Sequence, residues 1–205
     1  MIEVYHLPPT RSVRAVWVLE ELGIAYGTRN FMFPAAVRDP GYLDLNPAGT
    51  CPTMVDGDVV LTESMAICDY IARIYGGGRL IISPQDPDYF EYLRWMWYGE
   101  ATLSQQLANV MHYGPNAPAD QQIPTVVDNA IAAYVRHLAV VEKGLRDDGF
   151  IAGGALTLAD VSLGYALFVG QVCGLGEQFG PRTARYFKLI AERPAFERAC
   201  APVAT

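Results

Sequence analysis

The 205-residue sequence contains few cysteines, few histidines and no long apolar run. A membrane-spanning helix needs roughly 20 consecutive apolar residues, and no segment approaches that length. The four cysteines form no Cys-x-x-Cys pair, and neither they nor the three histidines have the spacing of a metal site. Because no basic, apolar leader precedes the first strand pattern, we expect a cytoplasmic protein with reduced thiols, no metal ion and no membrane association.

Positive charge is also scarce, which argues against nucleic acid as a partner. The chain has 15 Lys and Arg against 22 Asp and Glu, a net charge of −7, and no run of basic residues. Nucleic-acid binding depends on basic patches that neutralise phosphates. Apolar residues make up 51% of the chain and charged residues 18%, which favours a folded protein with a large core over a disordered one.

The N-terminal part of the sequence has the pattern of a small α/β domain. Residues 2–6 alternate between apolar and polar side chains, and residues 12–22 carry a helical apolar stripe that stops before Gly23. Residues 25–31 read as a second strand, and a loop with a short helix is expected over residues 34–44. A strand, a helix and a strand in about thirty residues predict a parallel βαβ unit.

The stretch from Asn46 to Met54 contains two prolines and carries most of the functional information. Pro52 is placed as the first residue of a strand, because a proline cannot donate a hydrogen bond to a ladder. If the bond between Cys51 and Pro52 is cis, the backbone N–H and C=O of Cys51 can pair with an extended peptide. The alternative is a trans proline in an ordinary loop, since most X-Pro bonds are trans.

A hairpin and then a helix are predicted directly after this stretch. An Asp56-Gly57 turn separates two short strand patterns, and Glu63-Ser64 precedes an apolar helical pattern. The order Asn-Pro, Cys-Pro-Thr-Met, hairpin, Glu-Ser-Met-Ala-Ile resembles the cytosolic glutathione S-transferase family, in its bacterial, delta- or theta-like form. This resemblance implies a thioredoxin-like N-terminal domain that binds glutathione.

The C-terminal part contains no convincing strand. Glycines and prolines between residues 76 and 87 indicate a domain boundary, and long helical patterns follow. Thr157 and Asp160 have the spacing of a capping box, which we assign to folding. The expected fold class is therefore α/β plus all-α. It consists of a thioredoxin-like domain over residues 1–76, a linker over 77–87 and a C-terminal helical bundle over 88–205.

The resemblance also implies how glutathione binds. The cysteinyl backbone of the tripeptide pairs with Cys51, its γ-glutamyl carboxylate binds at Ser64 in the first turn of a helix, and Glu63 binds its α-amine. Simple helix capping is the alternative for Glu63 and Ser64. The predicted glutathione-binding residues are Arg11, Thr50, Cys51, Pro52, Glu63 and Ser64.

A hydroxyl donor is needed to stabilise the glutathione thiolate, because a free thiol is mostly protonated at neutral pH. Counting back four residues from Arg14, as in delta-like enzymes, places Thr10 where serine is usual. Ser12 is the second candidate, unless it is only the helix N-cap, and Tyr5 is the third. No cysteine lies in this turn, so a mixed-disulfide mechanism is not expected. Cys51 is interpreted as a small apolar side chain, and the alternative is a thiol close to the glutathione sulfur.

The resemblance implies a glutathione transferase that acts in detoxification and forms a homodimer. Bound glutathione thiolate attacks a small hydrophobic electrophile, and the predicted electrophile-binding residues are Leu7, Pro8, His112 and Tyr113. Gly49 offers no side chain to the glycine carboxylate, which predicts a weaker affinity for glutathione. Two alternatives stay open: a non-catalytic binding or regulatory protein of the same fold, and a glutathione-dependent isomerase or dehalogenase.

Overall fold

The computed structural model describes residues 1–30, 39–147 and 149–201. They form two compact units. The first contains Met1–Ile81 and the C-terminal segment from Glu192, and the second contains Ile82–Ala191. The contacts therefore group the chain differently from the predicted domains, because the last helix packs within the first unit and not within the helical one.

The first unit contains a four-stranded sheet in the order β2-β1-β3-β4. Its strands are β1 (Ile2–His6), β2 (Tyr26–Asn30), β3 (Thr53–Asp56) and β4 (Val59–Thr62). β1 and β2 are parallel, whereas β3 is antiparallel to both β1 and β4. The sheet thus contains the βαβ unit and the hairpin that the sequence predicted, and Gly57 has a positive φ in the hairpin turn.

The helices of the first unit are α1 (Ser12–Leu22), α2 (Pro40–Leu45), α3 (Ser64–Tyr75) and α9 (Pro194–Cys200). α1 ends as predicted at Gly23, whose left-handed backbone allows its N–H to bond back to the last turn. α2 begins after Asp39, whose carboxylate accepts a hydrogen bond from the N–H of Gly41 at 3.0 Å. It forms the short helix expected over residues 34–44, and the earlier part of that prediction lies outside the described residues.

The last helix, α9, packs on α1. Phe196 lies edge-on against the buried ring of Trp17, with ring centroids 4.8 Å apart. Just before α9, the guanidinium of Arg193 donates two hydrogen bonds to the carboxylate of Glu21, at 2.6 and 2.7 Å. An apolar contact and a two-bonded ion pair therefore hold the C-terminal helix on the first one.

The second unit is helical, as the sequence predicted. Its α-helices are α4 (Tyr89–Trp97), α5 (Ser104–Tyr113), α6 (Pro124–Gly144), α7 (Leu158–Val172) and α8 (Pro181–Ala191). The single helix predicted over residues 88–113 is interrupted by a π-helical segment, Tyr98–Leu103. A Cβ at Gly99 in this segment would lie 2.7 Å from the backbone nitrogen of Leu163, so only glycine permits this approach to α7. Among the described helices, none combines the length and apolar character needed to cross a membrane.

A capping box begins α7, as predicted. The Asp160 carboxylate accepts hydrogen bonds from the N–H and hydroxyl of Thr157, at 2.8 and 3.0 Å. It also accepts from the N–H of Ile151 and the hydroxyl of Tyr186, both at 2.9 Å. Burial raises the pKa of Asp160 to about 6, although these hydrogen bonds lower it. All of these groups are buried, so the cluster supports folding.

Candidate functional site

The bond between Cys51 and Pro52 is cis. The turn before it is held by Asn46, whose side-chain amide donates to the carbonyl of Thr50 at 2.8 Å and lies 3.1 Å from the hydroxyl of Thr53. Pairing of β3 with its neighbours begins at Thr53. The backbone of Cys51 therefore lies just before the paired part of β3, where the sequence places the extended peptide.

The turn after β1 brings hydroxyl groups together around Ser12. The Ser12 Oγ lies 2.8 Å from His6 Nδ1, 3.0 Å from the N–H of Leu7 and 2.9 Å from Thr10 Oγ1. Ser12 is completely buried, whereas Thr10 is half-buried. Thr10 Oγ1 also lies 3.5 Å from Cys51 Sγ. Both candidate hydroxyls thus lie beside the cis-proline stretch, and Thr10 is the less buried of the two.

His6 determines how the protons of this cluster are arranged. Burial lowers the pKa of His6 to about 4, although a hydrogen bond to the backbone of Ala199 raises it. The ring is therefore neutral at neutral pH, and it donates to the Ala199 backbone through one nitrogen. Its Nδ1 then accepts from the Ser12 hydroxyl, the Ser12 oxygen accepts from the N–H of Leu7, and Thr10 Oγ1 lies 2.9 Å from that oxygen. The chain of hydrogen bonds runs from α9 to Thr10.

The thiol of Cys51 belongs to the same cluster. Its Sγ lies 3.3 Å from the carbonyl oxygen of Tyr5 and 3.5 Å from Thr10 Oγ1. Burial raises the pKa of Cys51, whereas hydrogen bonds from Thr10 and Ser12 lower it. The sequence showed no cysteine in the turn after β1, but the fold brings one against that turn from 41 residues away.

The Glu63-Ser64 pair is built differently from an ordinary helix cap. Ser64 is the first residue of α3 and is buried, and its Oγ accepts a hydrogen bond from Arg14 Nη1 at 3.0 Å. Glu63 is exposed, has a positive φ of 67° and makes no side-chain cap hydrogen bond. A non-glycine residue in this region is strained, and such strain clusters at functional sites. Capping alone therefore does not account for Glu63.

The other predicted glutathione-binding residues and the third candidate donor lie in the first unit. Arg11 directly precedes α1 and is the N-cap, so Ser12 is not, while Thr50 is exposed and its carbonyl accepts from Asn46. Tyr5, the third candidate donor, packs edge-on against Tyr42, with centroids 4.8 Å apart.

The predicted electrophile-binding residues are divided between the units. Leu7 and Pro8 follow β1 in the first unit, and His112 and Tyr113 are exposed at the end of α5 in the second. Their grouping into one site stays a prediction. Among the described residues, no three His, Cys, Asp or Glu side chains are grouped so that they could hold a metal ion.

The parallel βαβ unit, the antiparallel hairpin and the cis proline before β3 define a thioredoxin-like domain, which is joined here to a helical unit. Residues 1–73 match the family model of the glutathione S-transferase N-terminal domain. Residues 124–196 match that of the glutathione S-transferase C-terminal domain. The chain belongs to the glutathione S-transferase family.

The relatives of the chain include both glutathione S-transferases and elongation factors. Glutathione S-transferase 3 of Schizosaccharomyces pombe is 27% identical over 95% of this chain and 85% of its own length. Elongation factor 1-gamma 3 of rice is also 27% identical, over 83% of this chain but only 41% of its own length.

Two solved structures are similar over almost the whole chain. The theta class glutathione S-transferase of Xanthomonas axonopodis pv. citri, with glutathione bound, has a TM-score of 0.82 at 25% identity and covers 100% of this chain and 99% of its own. The glutathione transferase URE2P6 of Phanerochaete chrysosporium, in complex with oxidized glutathione, has a TM-score of 0.83 at 25% identity, over 97% of this chain and 94% of its own.

Proposed function

We propose that the chain is a glutathione transferase in which Thr10 stabilises the thiolate of bound glutathione. The observation that carries the proposal is the position of Thr10 Oγ1, which is half-buried, held by Ser12 and directed toward the cis-proline stretch. A hydroxyl that donates to sulfur favours the charged form, and the thiolate is the nucleophile. Its target would be a small hydrophobic electrophile.

The rest of the tripeptide would be held along Cys51 and at the N-terminus of α3. The backbone of Cys51 lies beyond the paired part of β3, so the cysteinyl residue binds there as an added strand. The γ-glutamyl carboxylate binds at Ser64, where the helix dipole and the buried guanidinium of Arg14 both favour an anion. Glu63 binds the α-amine, and Arg11 and Thr50 complete the proposed site.

The same site is proposed to accept glutathione disulfide. The fungal relative URE2P6, 25% identical to this chain, was solved in complex with oxidized glutathione. A disulfide contains the same tripeptide twice, so one half can use the contacts at Cys51, Ser64 and Glu63 while the other extends away from them.

A homodimer and a delta- or theta-like subtype are part of the proposal. Exposed apolar side chains occur in both units, and they include Ile74 at 61% exposure and Phe90 at 80%. We propose that these side chains belong to the dimer interface, because contiguous exposed apolar patches mark contacts between proteins. The mass of the protein in solution, measured by light scattering after size exclusion, tests the dimer.

The transferase proposal is tested by conjugation of glutathione to chlorodinitrobenzene. Because Thr10→Val removes the hydroxyl and keeps the shape, we expect it to lower kcat/KM by at least ~10-fold, about 1.4 kcal/mol. Thr125→Val, at an exposed threonine on α6, is the matched control and should leave kcat/KM unchanged. An unchanged kcat/KM in Thr10→Val would reject Thr10 as the donor.

A second candidate is a binding or regulatory protein of the same fold without turnover. It is favoured by the similarity to elongation factor 1-gamma, which is found over most of this chain. Uptake of glutathione in calorimetry, without conjugation of any of several electrophiles, would support this candidate. An isomerase or dehalogenase would instead regenerate glutathione, which product analysis distinguishes.

A further inference from the structure

Cys51 is positioned against the atom that is proposed to bind the glutathione sulfur. Its Sγ lies 3.5 Å from Thr10 Oγ1, and the thiol is half-buried and free. A glutathione sulfur that takes a hydrogen bond from Thr10 therefore lies close to a protein thiol. This juxtaposition rests on the proposed glutathione site.

Strand pairing at the same proposed site also places the two thiols close together. Residues directly opposite each other in an antiparallel pair project to the same face, with Cβ atoms about 4.5–5.5 Å apart. A disulfide requires a Cβ separation of about 3.5–4.5 Å. If the cysteinyl residue of glutathione lies antiparallel to and directly opposite Cys51, a shift of about 1 Å brings the two Cβ atoms to the separation that a disulfide requires.

We propose that Cys51 exchanges with glutathione disulfide in this site and then carries a glutathionyl group. The Cys51 thiolate attacks one sulfur of the disulfide, and a new S–S bond forms as the original one breaks. The other half leaves as a glutathione thiolate, which takes up the proton that Cys51 lost. Cys51 is oxidised and that half of the disulfide is reduced, so no further reagent is needed.

The adduct would make the site respond to the redox state of glutathione. A glutathionyl group on Cys51 occupies the place of the co-substrate, so conjugation stops while it is attached. Reduced glutathione reverses the step, because its thiolate attacks the mixed disulfide and restores both Cys51 and glutathione disulfide.

The remaining cysteines provide internal controls. Cys68 is completely buried, and burial raises its pKa to about 12. Cys173 is half-buried like Cys51, and burial raises its pKa too. Only for Cys51 among these three do neighbouring hydroxyls counteract burial. Cys173 is therefore the matched comparison, since its accessibility is similar and it lies in the other unit.

The test measures where and how fast glutathione disulfide modifies the reduced, full-length protein. Samples are quenched with acid over time and each cysteine is followed by peptide mass spectrometry. We expect Cys51 to gain the glutathionyl group at least ~10-fold faster than Cys173, and dithiothreitol to remove it. S-methylglutathione, which has no free thiol, should slow the reaction at Cys51 but not at Cys173.

Two variants and a binding measurement decide the outcome. Cys51→Val should lose the fast modification, whereas Cys173→Val should keep it. Equal rates at Cys51 and Cys173, or no protection by S-methylglutathione, would overturn the proposal. If calorimetry shows that reduced glutathione binds the wild type but no adduct forms, only the exchange is rejected. If neither binding nor adduct occurs, the proposed glutathione site is rejected as well.

Discussion

Each unit of the protein buries a titratable side chain in a hydrogen-bonded cluster, and the two clusters differ in where they end. In the second unit, every group that bonds the Asp160 carboxylate is buried: Ile151, Thr157 and Tyr186. We call this cluster closed, because its groups form hydrogen bonds with one another and all of them are buried.

The cluster of the first unit is open at one end. It runs from the backbone of Ala199 through His6 and Ser12 to Thr10, which is half-buried and lies beside Cys51. The comparison shows that buried polar groups can serve two purposes. A closed cluster stabilises the fold alone, whereas an open one also fixes the orientation of a group that can meet a ligand.

Breaking the closed cluster should have the largest effect on stability. Asp160→Ala leaves buried donors without an acceptor, and we expect it to lower the free energy of unfolding by about 3 kcal/mol or more. Urea unfolding measures this loss. Asp128→Ala, at an exposed position on α6, is the control and should change stability by less than about 0.5 kcal/mol. Equal effects of the two substitutions would contradict the structural role of Asp160.

Acidification should affect the two clusters with opposite signs. The pKa of His6 is lowered from 6.5 to about 4 on folding, so the unfolded chain binds its proton first and stability falls as the pH drops through this range. The pKa of Asp160 is raised from 3.8 to about 6, so the folded state binds its proton first and this contribution rises over the same range.

The two effects can be separated by substitution. Between about pH 7 and pH 5 we expect His6→Gln to lose less stability than the wild type, and Asp160→Asn to lose more, by about 1–2 kcal/mol each. Urea unfolding at both pH values measures the difference. The same pH dependence in both variants and the wild type would show that neither side chain has the shifted pKa.

Removing a hydroxyl from the open cluster should lower activity more than removing one from the exposed surface. Ser12→Ala removes the group that holds Thr10 and also leaves His6 Nδ1 without its donor. We expect kcat/KM for conjugation to fall by about 10-fold, or 1.4 kcal/mol, with the loss mainly in kcat. Ser83→Ala, at an exposed serine, is the control. A drop in stability without a drop in the kcat of the folded protein would assign Ser12 to folding alone.

The smallest expected effects concern the anchoring of α9, which carries the far end of the open cluster. Arg193 bonds Glu21, whose side chain is only 9% exposed, so Arg193→Ala should lower stability by about 1 kcal/mol. Arg198 pairs with Glu20 but is 56% exposed, and Arg198→Ala should change stability by less than about 0.5 kcal/mol. Thermal unfolding of both variants tests this order, and the reverse order would contradict it.

Features that depend on neighbouring residues could be predicted from the sequence. The hairpin turn at Gly57, the end of α1 at Gly23 and the capping box of Thr157 and Asp160 each follow from a few adjacent side chains. A cis bond before Pro52 can be expected only together with the Glu-Ser motif that follows, because a proline alone does not specify its isomer.

Features that depend on distant contacts could not be predicted. The ion pair between Glu21 and Arg193 joins residues 172 positions apart, and nothing in either local pattern identifies the partner. The direct contact of Cys51 with Thr10 also depends on the folding of β3 beside β1, although the family resemblance already places both residues at the glutathione cysteine. The π-helical turn at Gly99 depends on the close approach of α7, which the helical pattern of residues 88–113 does not encode.

Because Glu63 has a positive φ, thermal stability and ligand binding favour different residues at this position. Strain of this kind costs about 1–3 kcal/mol, and glycine adopts the same φ freely, although it makes the unfolded chain more flexible by about 0.5–1 kcal/mol. A Glu63→Gly protein should therefore tolerate more heat while it holds glutathione less firmly. In this chain, the side chain proposed to bind the α-amine of glutathione is thus present at a position where glycine would give a more stable protein.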